Sequence, residues 1–70
     1  MPYIRVELLK GRSPEQKKEL AKALTETYAR VFETRVDGIH VTFDEREHHD
    51  WALGGVPFTE RLKNRKKESG

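Results

Sequence analysis

From Tyr3 to Leu9 polar and apolar side chains alternate, with Ile4, Val6 and Leu8 on one side and Tyr3, Arg5, Glu7 and Leu9 on the other. A period of two marks a strand with one apolar face, so a strand is expected over residues 3–9, its Arg5 and Glu7 turned to solvent or to a subunit contact. Gly11 ends the run and permits a sharp turn. Ser13, Pro14 and Gln16 then stand where a helix takes its N-cap, its first-turn proline and the third residue of a capping box. Leu20, Leu24, Tyr28, Val31 and Phe32 recur at helical spacing, with Ala21 and Ala29 beside them and Lys17, Lys18, Lys22, Glu26 and Arg30 at more polar positions. This predicts a helix of about twenty residues that packs one face on the sheet and ends near Glu33. The period returns to two where Ile39, Val41 and Phe43 interleave with His40, Thr42 and Asp44, a second strand.

Strand, long helix and strand make a β-α-β unit, an α/β fold whose crossover sets the two strands parallel. One such unit leaves both sheet edges and one sheet face open, and partner chains are expected to cover them. Beyond it, residues 45–50 read as a charged loop, and Gly54, Gly55, Val56 and Pro57 as turn chemistry.

Composition narrows the picture. Seventy residues make one small domain, of which 34% are hydrophobic, and no cysteine is present to staple it or to serve as thiol nucleophile. Oligomerisation is the ordinary remedy for so small a core. No signal peptide and no run near the ~20 apolar residues of a membrane span occurs, so a cytoplasmic protein without a membrane partner is expected. Fourteen Lys and Arg against twelve Asp and Glu leave a net charge of +2, too balanced to point to nucleic acid. The basic excess gathers in Arg61, Lys63, Arg65, Lys66 and Lys67, which divides the chain into a domain over 1–62 and a basic, frayed tail over 63–70. His48 and His49 sit among acidic residues but lack the helical spacing that would converge them on an ion, and neither a metal nor an organic cofactor is expected.

The candidate chemistry begins at Pro2. Removal of Met1 would leave Pro2 as a free secondary amine at the start of the first strand. A free α-amino group titrates near ~7.7–8.0, closer to neutrality than a lysine, and burial or nearby cations lower that value further. Such an amine is a candidate general base.

Pro2, the alternating strand and the turn Gly11-Arg12-Ser13 into a long helix resemble the start of the 4-oxalocrotonate tautomerase family, and the resemblance continues through the second strand to Gly54 and Gly55. It implies a catalytic amino-terminal proline at Pro2 and a substrate-binding Arg12, whose guanidinium can grip a carboxylate through two parallel hydrogen bonds. It also implies a loop and small C-terminal hairpin that pack on a neighbouring subunit, assembly as a homo-oligomer of six chains, and a small keto or enol acid as substrate. Trp51 falls where the family places an aromatic wall residue. The sequence departs from the family at His40, where the best-known members carry a second arginine. An imidazole is neither a permanent charge nor a bidentate fork, so a dicarboxylate substrate loses one anchor, for which Arg35 or Arg46 are candidate substitutes. The expected function is therefore a cofactor-independent tautomerase or isomerase, with Pro2 as base and Arg12, His40 and Trp51 binding substrate. The alternative is a non-catalytic oligomeric binding or scaffold protein of the same fold.

Overall fold

In the computed structural model, which describes residues 1–60, the first strand β1 spans Tyr3–Leu9. Ile4, Val6 and Leu8 are half-buried while Tyr3, Arg5 and Glu7 are exposed, so the alternation of the sequence is the alternation of the faces. After β1 the chain turns at Gly11, whose φ of +133° is open to glycine and rarely to other residues.

The helix α1 spans Pro14–Phe32. Its start is the reciprocal cap foreseen above: Gln16 N–H donates to Ser13 Oγ at 3.1 Å and Ser13 N–H donates to Gln16 Oε1 at 3.0 Å, which satisfies two N–H groups that a bare helix end leaves open. Its end is set by Glu33, at φ 52° in the left-handed region, with the Thr34 N–H donating to Ala29 O at 3.0 Å.

The second strand β2 spans His40–Arg46 and pairs in parallel with β1 along its whole length, from Tyr3 opposite His40 to Leu9 opposite Arg46. Two boundaries differ from the sequence reading. Ile39 lies before β2, its N–H turned back to Val36 O at 3.2 Å, and Glu45 and Arg46, read as loop, continue the strand. Glu45 stands opposite Leu8 on the helix side, where its carboxylate meets Lys17 Nζ at 2.7 Å. That ion pair neutralises an acid on an otherwise apolar face, and the ladder extends past the point where hydrophobic alternation stops.

A short 3-10 turn at His48–Asp50 leads into β3 (Ala52–Leu53) and β4 (Val56–Pro57), an antiparallel hairpin. Its two turn residues, Gly54 and Gly55, have φ of +63° and +84°, the pair of positive angles that a tight hairpin of matching twist requires. The basic tail expected over 63–70 lies outside the described residues, as do residues 61 and 62 of the expected domain.

The core is thin. Among the described residues Ala29 alone is buried, and Leu20, Val31, Phe32, Val36 and Leu53 are exposed. The sequence reading set Leu20, Leu24, Tyr28, Val31 and Phe32 against the sheet; Leu24 and Tyr28 are half-buried there, and the others are not. The reason is the helix's position. It lies against β2 more than β1, with the small side chains of Ala21, Thr25 and Ala29 on its more covered side, so much of the apolar stripe overhangs open space. A two-stranded sheet with one helix is marginal in water. The unfolding midpoint is therefore expected to rise with protein concentration, as mass action requires when association supplies missing burial. A midpoint independent of concentration, in a species that sediments as a single chain, contradicts this.

Candidate functional site

Four residues carry the expected chemistry, and the parallel sheet sorts them. Pro2 and His40 meet at the N-terminal end, where the His40 N–H donates to Pro2 O at 3.0 Å. Both are half-buried, and Met1 ahead of them is 85% exposed. His40 is opposite Tyr3 in the register, so both side chains stand on the sheet face away from the helix. Their rings stack, with centroids 4.6 Å apart and planes 26° apart. The sequence reading did not single out Tyr3. The signal that finds it is the register itself, because residues directly opposite in a ladder share a face.

Arg12 lies at the other end. It follows Gly11 and precedes the Ser13 cap, so the turn that starts α1 presents it, exposed. The seven residues of β1, at about 3.3 Å each, put more than ~20 Å between Pro2 and Arg12 of the same chain. Among the described residues Arg12 has no carboxylate partner, unlike Arg5, Lys10, Lys17, Arg35 and Arg46, each held in an ion pair. An exposed guanidinium without an internal counter-ion keeps its hydrogen-bonding fork available to an anion. Arg35 and Arg46, the candidate substitutes for the missing second anchor, are engaged with Asp37 at 3.3 Å and with Glu7 and Asp44 at 3.1 and 3.0 Å.

Trp51 follows the 3-10 turn beyond the C-terminal end of β2. Its ring partner among the described residues is Phe58, stacked at 5.7 Å with planes 8° apart, and the Phe58 N–H donates to Trp51 O at 2.9 Å. Trp51 and Phe58 thus close the base of the hairpin. The structure brings Pro2 and His40 together, sets Arg12 at the opposite end of the sheet, and ties Trp51 to the hairpin. A groove of about 370 Å³ between α1 and β2, lined by Ala21, Thr25, Val36, Ile39 and Val41 among others, holds none of the four.

Charge on the face shared by Tyr3 and His40 is internally compensated. Arg5 Nη2 donates to Asp44 Oδ2 at 2.7 Å, and Arg46 donates through Nε to Glu7 and through Nη2 to Asp44. The hydrogen bond from Arg5, helped by the charge of Arg46, holds the Asp44 carboxyl below the usual carboxylate range. Lys10 does the same to Glu47 through a hydrogen bond that ties the start of the 3-10 segment to the end of β1. Among the described residues no group of three or more His, Asp and Glu side chains is arranged to hold a metal ion, and no helix is long and apolar enough to cross a membrane.

Comparison with known proteins decides the family. Residues 2–61 match the sequence model of the tautomerase family, described as tautomerase enzyme. The chain belongs to that family. A probable tautomerase of Listeria monocytogenes is 36% identical over 56 residues, covering 80% of this chain and 92% of the relative. One from Staphylococcus epidermidis is 39% identical over 56 residues with the same coverage. Among solved structures, a 4-oxalocrotonate tautomerase homologue of the tomaymycin biosynthetic pathway superposes with a TM-score of 0.85 at 37% identity, covering 89% of this chain and 95% of that one. A heterohexameric 4-oxalocrotonate tautomerase from Chloroflexus aurantiacus superposes with a TM-score of 0.81 at 35% identity, covering 86% and 97%. Family membership places the tautomerase in an isomerase class, and the parallel β-α-β unit with its short hairpin is the fold of these neighbours.

The depressed Asp44 carboxyl has a measurable consequence. A group that binds its proton more weakly when folded stabilises the fold above its unfolded value, and that contribution is lost as pH falls through the folded value. The melting temperature is expected to fall on acidification below about pH 4. Asp44→Asn should lower it at neutral pH and flatten the acid limb, leaving the share that belongs to Glu47. An acid limb of unchanged steepness in Asp44→Asn contradicts the pairing.

Proposed function

We propose that this tautomerase moves a proton within a small enol or keto acid, without a cofactor, using Pro2 as the base once Met1 has been removed. The observation that carries the reading is the family match, which starts at Pro2 itself. The exposure of Met1 supports access for its removal. In the proposed reaction the neutral amine of Pro2 takes the proton of the enol hydroxyl, the electron pair shifts through the conjugated system, and the ammonium returns the proton to carbon, leaving the ketone. Arg12 grips the substrate carboxylate through paired N–H···O bonds and stays charged at any working pH. His40 and Trp51 line the pocket.

The separation of Pro2 from Arg12 requires that the pocket be built between chains. Two copies set antiparallel about a twofold axis would place the Pro2 and His40 end of one beside the Arg12 end of the other. We take the working protein to be a homo-oligomer, a hexamer by analogy with the Chloroflexus neighbour, whose assembly is a heterohexamer. The same assembly would cover the exposed apolar side of α1.

Intact mass of the protein purified from cells should show the loss of Met1; retention of Met1 removes the secondary amine, and the enzyme reading with it. On Met1-processed protein, Pro2→Ala is expected to lower kcat by about 10²–10⁴-fold, the usual yield of a positioned acid–base group. An unchanged rate takes Pro2 out of the mechanism.

The second anchor supplies a further test. Arg12→Ala should raise KM sharply with a smaller effect on kcat, because the carboxylate contact is made in ground and transition states alike. His40→Arg should improve kcat/KM for dicarboxylates more than for monocarboxylates. Equal changes for both substrate classes would place His40 outside the pocket.

A further inference from the structure

We propose that two ion pairs, Lys10 with Glu47 and Lys17 with Glu45, form a bracket that holds the Arg12 turn in the orientation its guanidinium needs to grip a carboxylate. The inference rests on the reading of Arg12 as substrate anchor given above. It adds the groups through which the rest of the chain aims that anchor, and so makes these side chains positioning residues.

Arg12 stands in a turn with little of its own to fix it. Its neighbour Gly11 has a φ of +133°, and a Cβ there would meet nothing within 4 Å, so the glycine serves conformation and not want of space. Arg12 itself is exposed and has no ion-pair partner among the described residues. A paired N–H···O contact needs both donors aligned with the carboxylate, and a small misplacement of the group forfeits much of its effect. The alignment has to come from the two ends of the turn.

Both ends are tied to the same stretch of chain at the end of β2. On the side of β1, the Lys10 N–H donates to Arg46 O at 2.9 Å and the Lys10 ammonium pairs with the Glu47 carboxylate. On the side of α1, the reciprocal cap locks Ser13 to Gln16, and in the next residue Lys17 Nζ meets Glu45 Oε1 at 2.7 Å. This second pair is the more enclosed, its side chains 24% and 30% exposed against 55% and 44% for Lys10 and Glu47. Only Gly11 and Arg12 lie between the fixed points, and the residues that fix them, Glu45, Arg46 and Glu47, are consecutive. Part-exposed ion pairs add little to stability one by one. Their loss should therefore free the turn more than it weakens the fold.

The test sets an enol monoacid against its methyl ester on Met1-processed protein, because only the acid offers the carboxylate that the Arg12 fork grips. Arg12→Ala is the reference, expected to raise KM for the acid by about 10–100-fold, the worth of a charged hydrogen bond, and to spare the ester. Lys17→Met and Glu45→Gln should each raise the acid's KM by about three- to tenfold, part of that loss, with kcat and the ester's KM nearly unchanged. Added to Arg12→Ala they should cost nothing further, since they act through Arg12. Lys17→Arg keeps the charge and should restore KM. Equal losses for acid and ester, or full additivity with Arg12→Ala, overturn the bracket while the anchor stands. If Arg12→Ala itself treats acid and ester alike, the anchor falls and the bracket with it. Should the Lys17 and Glu45 variants fail to assemble, Lys10→Met and Glu47→Gln at the more exposed pair decide. A raised KM for the acid alone supports the bracket, and an unaltered one overturns it.

Discussion

A parallel strand pair cannot bring the two ends of either strand together, and most of this molecule's organisation follows from that constraint. β1 and β2 run side by side for their full length, so whatever precedes β1 stays beside whatever precedes β2, and whatever follows β1 stays far from both. Pro2 and His40 share one end for this reason. Arg12 is carried to the other by the turn into α1. The chemistry expected of the family needs the base and the anchor within the length of one small acid, a few ångströms, and the chain alone holds them a strand's length apart. If Pro2 and Arg12 serve one pocket, that pocket takes them from two chains.

The same shortage appears in the packing. With Ala29 alone buried among the described residues, the apolar surface of α1 and of the sheet's helix side is only half used. The sheet's other face takes a different solution. There Arg5, Glu7, Asp44 and Arg46 pair among themselves across the two strands, which leaves that face charged but close to neutral. Exposed pairs of this kind contribute little to stability one by one. Their larger effect is on what the face can bind, since a guanidinium already bonded to two carboxylates is a poor site for a third.

Much of the fold was legible because local chemistry and tertiary structure agree. Ser13, Pro14 and Gln16 signal a helix start in the sequence and form the reciprocal cap in the structure. Gly54 and Gly55 signal a turn and adopt the positive φ values that make one. The misreadings come from information that a period does not contain. Alternation of hydrophobicity ended at Phe43, whereas hydrogen bonding continued to Arg46 because Lys17, on a different element, meets the charge of Glu45. Helical spacing grouped Val31 and Phe32 with Leu24 and Tyr28, but spacing fixes a face and says nothing of where on the sheet the helix will sit. Pro2, Arg12, His40 and Trp51 could be named as candidates from the family resemblance. Their spatial sorting could not, and neither could the pairing of Tyr3 with His40 or of Trp51 with Phe58, which depends on register and on the hairpin's closure.

The central claim is that base and anchor come from different copies of the chain, and mixing two impaired variants, assayed with substrate well below KM, tests it most directly. Pro2→Ala and Arg12→Ala chains are each purified, unfolded, combined in equal amounts and refolded, with co-assembly verified by mass. If a pocket takes Pro2 from one chain and Arg12 from a partner related by a twofold axis, random pairing rebuilds about a quarter of the pockets intact. The mixture should then recover about a quarter of the unsubstituted kcat/KM, well above either parent. Activity no greater than the average of the two parents, in a verified mixed assembly, would show that Pro2 and Arg12 do not meet across a subunit boundary.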